Sequence, residues 1–199
     1  MTQPSFILAS ASPRRRELLD LVGIRHLVVP ADIDESIRGA ELPSEHAERL
    51  AREKALRVAE QHADALVIAA DTIVVVDGKI LGKPRTEADA VAMLATLSGI
   101  THTVVTGMAC ALNGRLASSV VDVSVTFRSL SDQDIQEYVA TGEPMDKAGA
   151  YGIQGYGATI VRRIEGDYFA VMGLSLVRLV ELMQRLGVCY HFGGATRST

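Results

Sequence analysis

Leu66-Val67-Ile68-Ala69-Ala70-Asp71-Thr72-Ile73-Val74-Val75-Val76 is an apolar run interrupted by a single acid and closed by Asp77-Gly78. A run of this kind, rich in β-branched residues and bounded by a turn pair, reads as a central buried strand. Asp-Gly between apolar runs is the signature of a type I′ hairpin, so the chain is expected to fold back over 79–82. Asn113-Gly114 joins 102–112 to 115–127 in the same way, and Gly166-Asp167 is expected to turn between 158–165 and 168–172. Two further strands, 5–10 and 25–30, precede the central one.

Helical periodicity and capping signals mark five helices among these strands. They span 13–22 (stopped by Gly23), 45–61 after Ser44, 87–97 after Thr86, 132–141 after Ser131, and 174–186 (ended by Gly187). Thr86 with Asp89, and Ser131 with Asp134, form capping-box patterns. Interleaved helices and hairpins predict an α/β fold with a mixed β-sheet and flanking helices. No G-x-G-x-x-G opens a βαβ unit, and neither an internal repeat nor a low-complexity linker divides the chain. One domain over 1–192 is expected, followed by a frayed tail at 193–199.

Composition narrows the function. The 199 residues suit one medium-sized domain, and 48% hydrophobic content is enough for a packed core. A formal charge of −4 disfavours a nucleic-acid binder driven by net charge, so any anion affinity must be local. Cys110 and Cys189 lie far apart in apolar surroundings, which reads as two buried thiols in a reducing cytoplasm. No secretory signal opens the chain, and the longest apolar run is too short for a bilayer.

Within the central run, Asp71 is the strongest catalytic candidate. A buried carboxylate needs a cation, a metal or a raised pKa. Ideal hairpin pairing sets Val76 opposite Lys79 and Thr72 opposite Lys83, so acid and lysine are expected at one hairpin end. On the 45–61 helix, Lys54 falls inside the apolar stripe of Ala47, Leu50, Ala51, Ala55 and Val58. An inward lysine either snorkels out or meets an anion.

Further upstream, Phe6-Ile7-Leu8-Ala9-Ser10-Ala11-Ser12-Pro13-Arg14-Arg15-Arg16 runs from strand into helix. Ser12 suits the N-cap and Pro13 the first helical position. Arginines at the positive end of a helix dipole point to a bound anion, and with Ser10 they make a phosphate site. The plain alternative is a solvated basic turn. The segment Asp146-Lys147-Ala148-Gly149-Ala150-Tyr151-Gly152-Ile153-Gln154-Gly155 lets backbone approach a ligand closely. Gln154 offers both a donor and an acceptor to a base edge. Glu35 sits in an acidic loop that by itself reads as solvated.

Taken in order, Ser10-Ala11-Ser12-Pro13-Arg14-Arg15, Ala51-Arg52-Glu53-Lys54-Ala55, Ala70-Asp71-Thr72, Gly82-Lys83-Pro84 and Asp146 to Gly155 resemble the Maf family of nucleoside triphosphate pyrophosphatases. The resemblance covers roughly residues 5 to 187. It implies an elongated, two-lobed fold like that of inosine-triphosphate pyrophosphatases, with a central cleft. It also implies release of pyrophosphate from a nucleoside triphosphate with a divalent metal, Mg²⁺ or Mn²⁺, and a homodimer. By matching position Asp71 becomes the proton acceptor, Arg14, Thr72 and Gln154 the specificity positions, and Glu35 a metal ligand beside Asp71. Phosphate contacts fall to Ser10, Arg14, Arg15, Lys54 and Lys83. Ala70-Asp71-Thr72 and Tyr151 to Gly155 look like the dTTP/UTP branch, not the 7-methyl-GTP branch. The alternative is a nucleotide-binding regulator of division or septum formation without essential catalysis.

Overall fold

The structure, a computed structural model, describes residues 5–192 and the backbone of 194–197. In chain order, β1 (Phe6–Leu8), α1 (Pro13–Leu21), β2 (Leu27–Val28) and α2 (Pro43–Ala59) lead into β3 (Leu66–Val76) and β4 (Lys79–Leu81). Then come α3 (Glu87–Leu97), β5 (Thr101–Leu112), β6 (Arg115–Phe127) and α4 (Asp132–Ala140). Three 3₁₀ turns cross the glycine-dense segment, at Glu143–Asp146, Ala148–Ala150 and Gly155–Thr159. The chain closes with β7 (Val161–Glu165), α5 (Tyr168–Met172), α6 (Leu176–Arg185), β8 (Val188–His191) and β9 (Gly194–Arg197).

Seven strands make one mixed sheet in the order β2-β1-β3-β5-β6-β7, with β4 added alongside β3. The pairings β1–β2 and β1–β3 are parallel, whereas β3–β4 and β6–β7 are antiparallel. Both expected hairpin turns form, and Asp77, Gly78, Asn113 and Gly114 all have positive φ, as type I′ geometry requires. The side chains of Thr86 and Ser131 cap α3 and α4 as predicted, each answered by an aspartate three residues on.

Four readings of the sequence need correction. Residues 168–172 are helical rather than extended, because the Asp167 carboxylate accepts from the N–H groups of Phe169 (2.8 Å) and Ala170 (3.3 Å). That capping interaction replaces the hairpin expected at Gly166-Asp167. The last helix starts only at Leu176, where the Ser175 hydroxyl accepts from Arg178 N–H. Residues 155–159 wind into a 3₁₀ turn, which shortens the expected strand to β7. Finally, α2 begins two residues early, with Pro43 at its first position and Glu45 accepting from Leu42 N–H. Within the segment expected to fray, β9 pairs antiparallel with β8, while residues 193, 198 and 199 lie outside the described residues.

The chain divides into two compact units. The first comprises Met1–Asp71, Thr106–Val121 and Gly173–Thr199; the second comprises Thr72–Val105 and Asp122–Met172. In the first, Ala51, Ala55 and Val58 of α2 pack on Ile7, Val67, Ala69, Ala109 and Ala111 of the strands and on Ala9 just beyond β1. Small residues on both sides let helix and sheet approach closely. Gly107 marks the limit, since a Cβ there would stand 2.2 Å from the Ala47 carbonyl oxygen.

The second unit is centred on Phe127, His102 and Tyr151, whose rings meet edge to face at 4.6–5.3 Å. His102 Nε2 lies 2.8 Å from the Tyr151 hydroxyl, and its buried Nδ1 has no hydrogen-bond partner. Burial therefore lowers its pKa from 6.5 to about 4. The unfolded chain takes up this proton near pH 6.5 and the folded chain only near pH 4. Stability that is full above pH 6.5 is thus lost as the pH falls through that window. The total is about 3 kcal/mol. Urea unfolding from pH 7.5 down to pH 5 should show this slope in the wild type and lose most of it in His102→Gln.

Candidate active site

Two periodicities meet at Asp71. Along β3, Val67 and Ala69 face α2, and the alternation of a strand puts Asp71 on that same side. On α2, Lys54 lies within the stripe that buries Ala47, Leu50, Ala51, Ala55 and Val58. The inward lysine therefore ends on the inward acid. Lys54 Nζ donates to Asp71 Oδ1 at 2.7 Å, with only 10% and 12% of the two side chains exposed. The same ammonium pairs with Glu35 Oε1 at 2.6 Å, from a carboxylate that is 58% exposed.

The first turn of α1 adds the basic side. Ser12 occupies the N-cap with extended backbone angles and Pro13 follows at the first position, as read from the sequence. The Ser12 hydroxyl makes no capping bond to the helix; instead its N–H donates to Ser10 Oγ at 3.2 Å. Arg15 is fixed by two bonds, Nε to the Gly173 carbonyl at 2.8 Å and Nη1 to Ser10 Oγ at 2.9 Å. Burial draws the Arg15 pKa below the ordinary arginine value, and the charge of Asp71 opposes that pull. Arg14 depresses it further and Glu35 raises it, so these four groups feel one another, and Lys54 joins them through its pairs with Asp71 and Glu35. Three cations, Arg14, Arg15 and Lys54, face two carboxylates.

One part of this arrangement left little trace in the sequence. Arg49, on α2, donates from Nη2 to the Ser36 carbonyl at 2.9 Å, and from Nε and Nη2 to the two Glu41 oxygens at 2.9 and 2.7 Å. Arg38 reaches Glu53 at 2.7 Å. The Arg49 bonds hold the Glu41 carboxyl well below the usual range. The loop that carries Glu35 is thereby tied to the helix that carries Lys54. The sole local hint was the (i, i+4) spacing of Arg49 and Glu53 on one helix face.

Thr72, Lys83 and Gln154 belong to the second unit. Val76 does stand opposite Lys79, but the ladder ends at Val74 opposite Leu81. Thr72 and Lys83 therefore do not stand opposite each other in that ladder. Gly82 adds no bulge, and Pro84 carries no N–H with which to prolong the pairing. Lys83 is exposed and Thr72 half-buried. A bond from Gly149 N–H to the Gly82 carbonyl, at 3.0 Å, ties the Lys83 turn to the glycine-dense segment. In that segment Gln154 is exposed, with extended backbone angles, between buried Ile153 and Gly155 in the left-handed region.

Among the described residues no three His, Cys, Asp or Glu side chains cluster as a metal cage. Asp71 and Glu35 nonetheless converge on one point, the position of Lys54 Nζ. Two hard oxygen donors beside a helix start that carries arginines fit the way Mg²⁺ is held, by one or two carboxylates together with substrate phosphates. Neither cysteine forms a disulfide; Cys110 is buried as expected, while Cys189 is half-buried. No helix among the described residues is long and apolar enough to cross a membrane.

The family profile described as "Maf-like protein" matches residues 5–186. A dTTP/UTP pyrophosphatase of Syntrophomonas wolfei is 52% identical over 183 residues, covering 90% of this chain and 96% of the relative. One of Moorella thermoacetica is 53% identical over 184 residues, covering 92% and 95%. A dTTP/UTP pyrophosphatase of Aquifex aeolicus is 48% identical over 183 residues, covering 92% and 95%. A solved structure of a HAM1 protein from Coxiella burnetii aligns with a TM-score of 0.39 and 16% identity, over 61% of this chain and 73% of that one. A profile match spanning nearly the whole chain, with relatives at about half identity, means that this protein belongs to the Maf family.

Proposed function

We propose that this protein hydrolyses dTTP and UTP to the monophosphate and pyrophosphate, in the cytoplasm and as a homodimer. The observation that carries the chemistry is a near-buried carboxylate, Asp71, held on Lys54 beside the Arg15-Ser10 pair at a helix N-terminus. The substrate class comes from the relatives, which are named dTTP/UTP pyrophosphatases. Cysteines outside any disulfide agree with a reducing compartment. The homodimer rests on the family resemblance.

In this reading Arg14, Arg15 and Lys54 neutralise the triphosphate. Asp71 accepts a proton from water as its oxygen bonds to the α-phosphorus, and the bond from that phosphorus to the bridging oxygen breaks to release pyrophosphate. Fixed charges aimed at such a transition state supply most of the acceleration. Mg²⁺ or Mn²⁺, held by Asp71 and Glu35, would offset the charge developing on the phosphate oxygens. Lys54 holds Asp71 in place through a 2.7 Å bond, and Ser10 orients the Arg15 fork.

Uracil and thymine present a carbonyl–imide–carbonyl edge. The Gln154 amide donates to such a carbonyl and accepts from the imide N–H. Cytosine offers an amine donor and a ring-nitrogen acceptor instead, which the amide meets only in the opposite orientation. A loop that holds it in the first orientation leaves those groups unpaired, a loss of about 1–3 kcal/mol, or roughly tenfold to a few hundredfold in kcat/KM. The test compares kcat/KM for dTTP, UTP, CTP and GTP in the wild type and in Gln154→Ala. dTTP and UTP should lead, and Gln154→Ala should erase their advantage over CTP. A wild type that prefers GTP, or a Gln154→Ala that slows all four equally, would refute the assignment.

A further inference from the structure

We propose that Glu143 is a positioning residue for base selection, and that with Tyr138 it fixes the backbone on both sides of Gln154. This inference rests on the reading of Gln154 as the base-recognising side chain. All the groups involved lie within the second unit.

Glu143 Oε1 accepts from the Tyr138 hydroxyl at 2.8 Å and from Gly157 N–H at 3.0 Å, and Oε2 accepts from Tyr156 N–H at 2.9 Å. The Tyr138 hydroxyl in turn accepts from Gly152 N–H at 3.1 Å. One carboxylate and one phenol therefore satisfy backbone donors two residues before Gln154 and two and three residues after it. The Lys147 ammonium adds a bond to the Glu143 carbonyl oxygen at 2.5 Å. Gln154 itself projects outward from this clamp, its side chain bonded to no other described residue.

Space around the clamp is already used. A Cβ at Gly155, whose φ is +62°, would stand 2.3 Å from Glu143 Oε2. One at Gly157 would stand 2.0 Å from the Gly152 carbonyl oxygen and 2.8 Å from the Tyr138 hydroxyl. The glycines of this segment thus let the chain wrap a carboxylate and a phenol. Their place in the motif is explained by the clamp as well as by any ligand.

Charge strengthens the grip. Burial pushes the Glu143 pKa upward, but bonds from Gly157, Tyr138 and Tyr156 outweigh it and the net shift is downward. An ionised carboxylate only accepts, and charge-assisted bonds of this kind are roughly twice as strong as neutral ones. Glutamine keeps the shape but turns an amide NH₂ toward backbone donors, so the loop must relax. The amide of Gln154 then no longer meets the base edge squarely, while groups that bind phosphate are untouched.

The experiment measures kcat and KM for dTTP and CTP in the wild type, Glu143→Gln, Gln154→Ala and the double variant, with inorganic tripolyphosphate affinity alongside. Glu143→Gln should cut the dTTP-to-CTP ratio of kcat/KM about tenfold, and in the double variant should lower that ratio no further than Gln154→Ala does. Tripolyphosphate affinity should stay within about twofold of the wild type. If Glu143→Gln does not fold, Tyr138→Phe, which removes the Gly152 and Glu143 bonds of the phenol but leaves Glu143 on Tyr156 and Gly157, should lower the same ratio by a smaller factor. Equal slowing of dTTP and CTP, with weaker tripolyphosphate binding, would reduce Glu143 to a structural role and overturn the proposal. So would a wild-type ratio in Glu143→Gln, or in the substitute Tyr138→Phe, beside a lost ratio in Gln154→Ala. A wild-type ratio in Gln154→Ala would remove the reading of Gln154, and the proposal with it.

Discussion

Replacing Asp71 with asparagine is expected to lower kcat on dTTP by about 10²–10⁴-fold while leaving the fold intact, the range that a general base contributes. Asparagine retains a carbonyl oxygen where Asp71 Oδ1 accepts from Lys54 at 2.7 Å, so the local geometry has little reason to change. It cannot take a proton from water. Nor does it add a negative charge beside Glu35 at the point where a cation would be shared. The variant should therefore stay folded and still bind dTTP, as read by calorimetry, but with a lowered unfolding temperature, because the buried Lys54 ammonium keeps only the exposed Glu35 as its partner. If more than about a tenth of the wild-type kcat survived, Asp71 would not be the base.

Lys54→Met should cost about 3 kcal/mol of folding stability, the low end of the range for removing one partner of a buried ion pair. The side chains of Lys54 and Asp71 are only 10% and 12% exposed, so water cannot replace the lost ammonium well. Arg15 lies close enough to Asp71 to offset part of the loss. The Glu35 contact is mostly solvated and contributes little. The expected mark of the mechanism is coupling. Lys54→Met combined with Asp71→Asn should be less destabilised than the two single losses added together, because the uncompensated charge has gone. Urea unfolding of the four proteins gives this directly. A Lys54→Met loss below about 0.5 kcal/mol would mean that the pair is solvated and that Asp71 is not held in a dry site.

Much of the fold was legible because the signals were local. Type I′ turns at Asp77-Gly78 and Asn113-Gly114 depend on two residues that accept positive φ, and both formed. The capping boxes at Thr86 and Ser131 likewise depend on side chains three residues apart. Tyr168 to Met172 misled for the same kind of reason. Its composition suits a strand, but Asp167 caps it as a helical turn, and nothing in the five residues themselves shows which will win. The candidate site was legible where periodicity carried it. Lys54 stood out as a charge in an apolar stripe, and Asp71 as a charge in an apolar strand. Glu143 did not stand out, because an acid before a proline in a loop looks solvated until three donors are seen around it.

By itself the sequence determined that a buried acid would interrupt a central strand, that an inward lysine would need an anion, and that arginines would crowd a helix start. The first two follow from the burial of apolar neighbours and the 2.0 and 3.6 residue periods, the third from the Ser12-Pro13 start signal, and none needs a partner to be named. Only the tertiary structure decided which charge meets which. Lys54 reaches across 17 residues to Asp71, and Arg15 across 158 to the Gly173 carbonyl. The first of these meetings requires α2 to lie close on the sheet, which the absence of a side chain at Gly107 and the alanines of both surfaces permit. Packing distance is a property of two surfaces together, and neither segment encodes it alone.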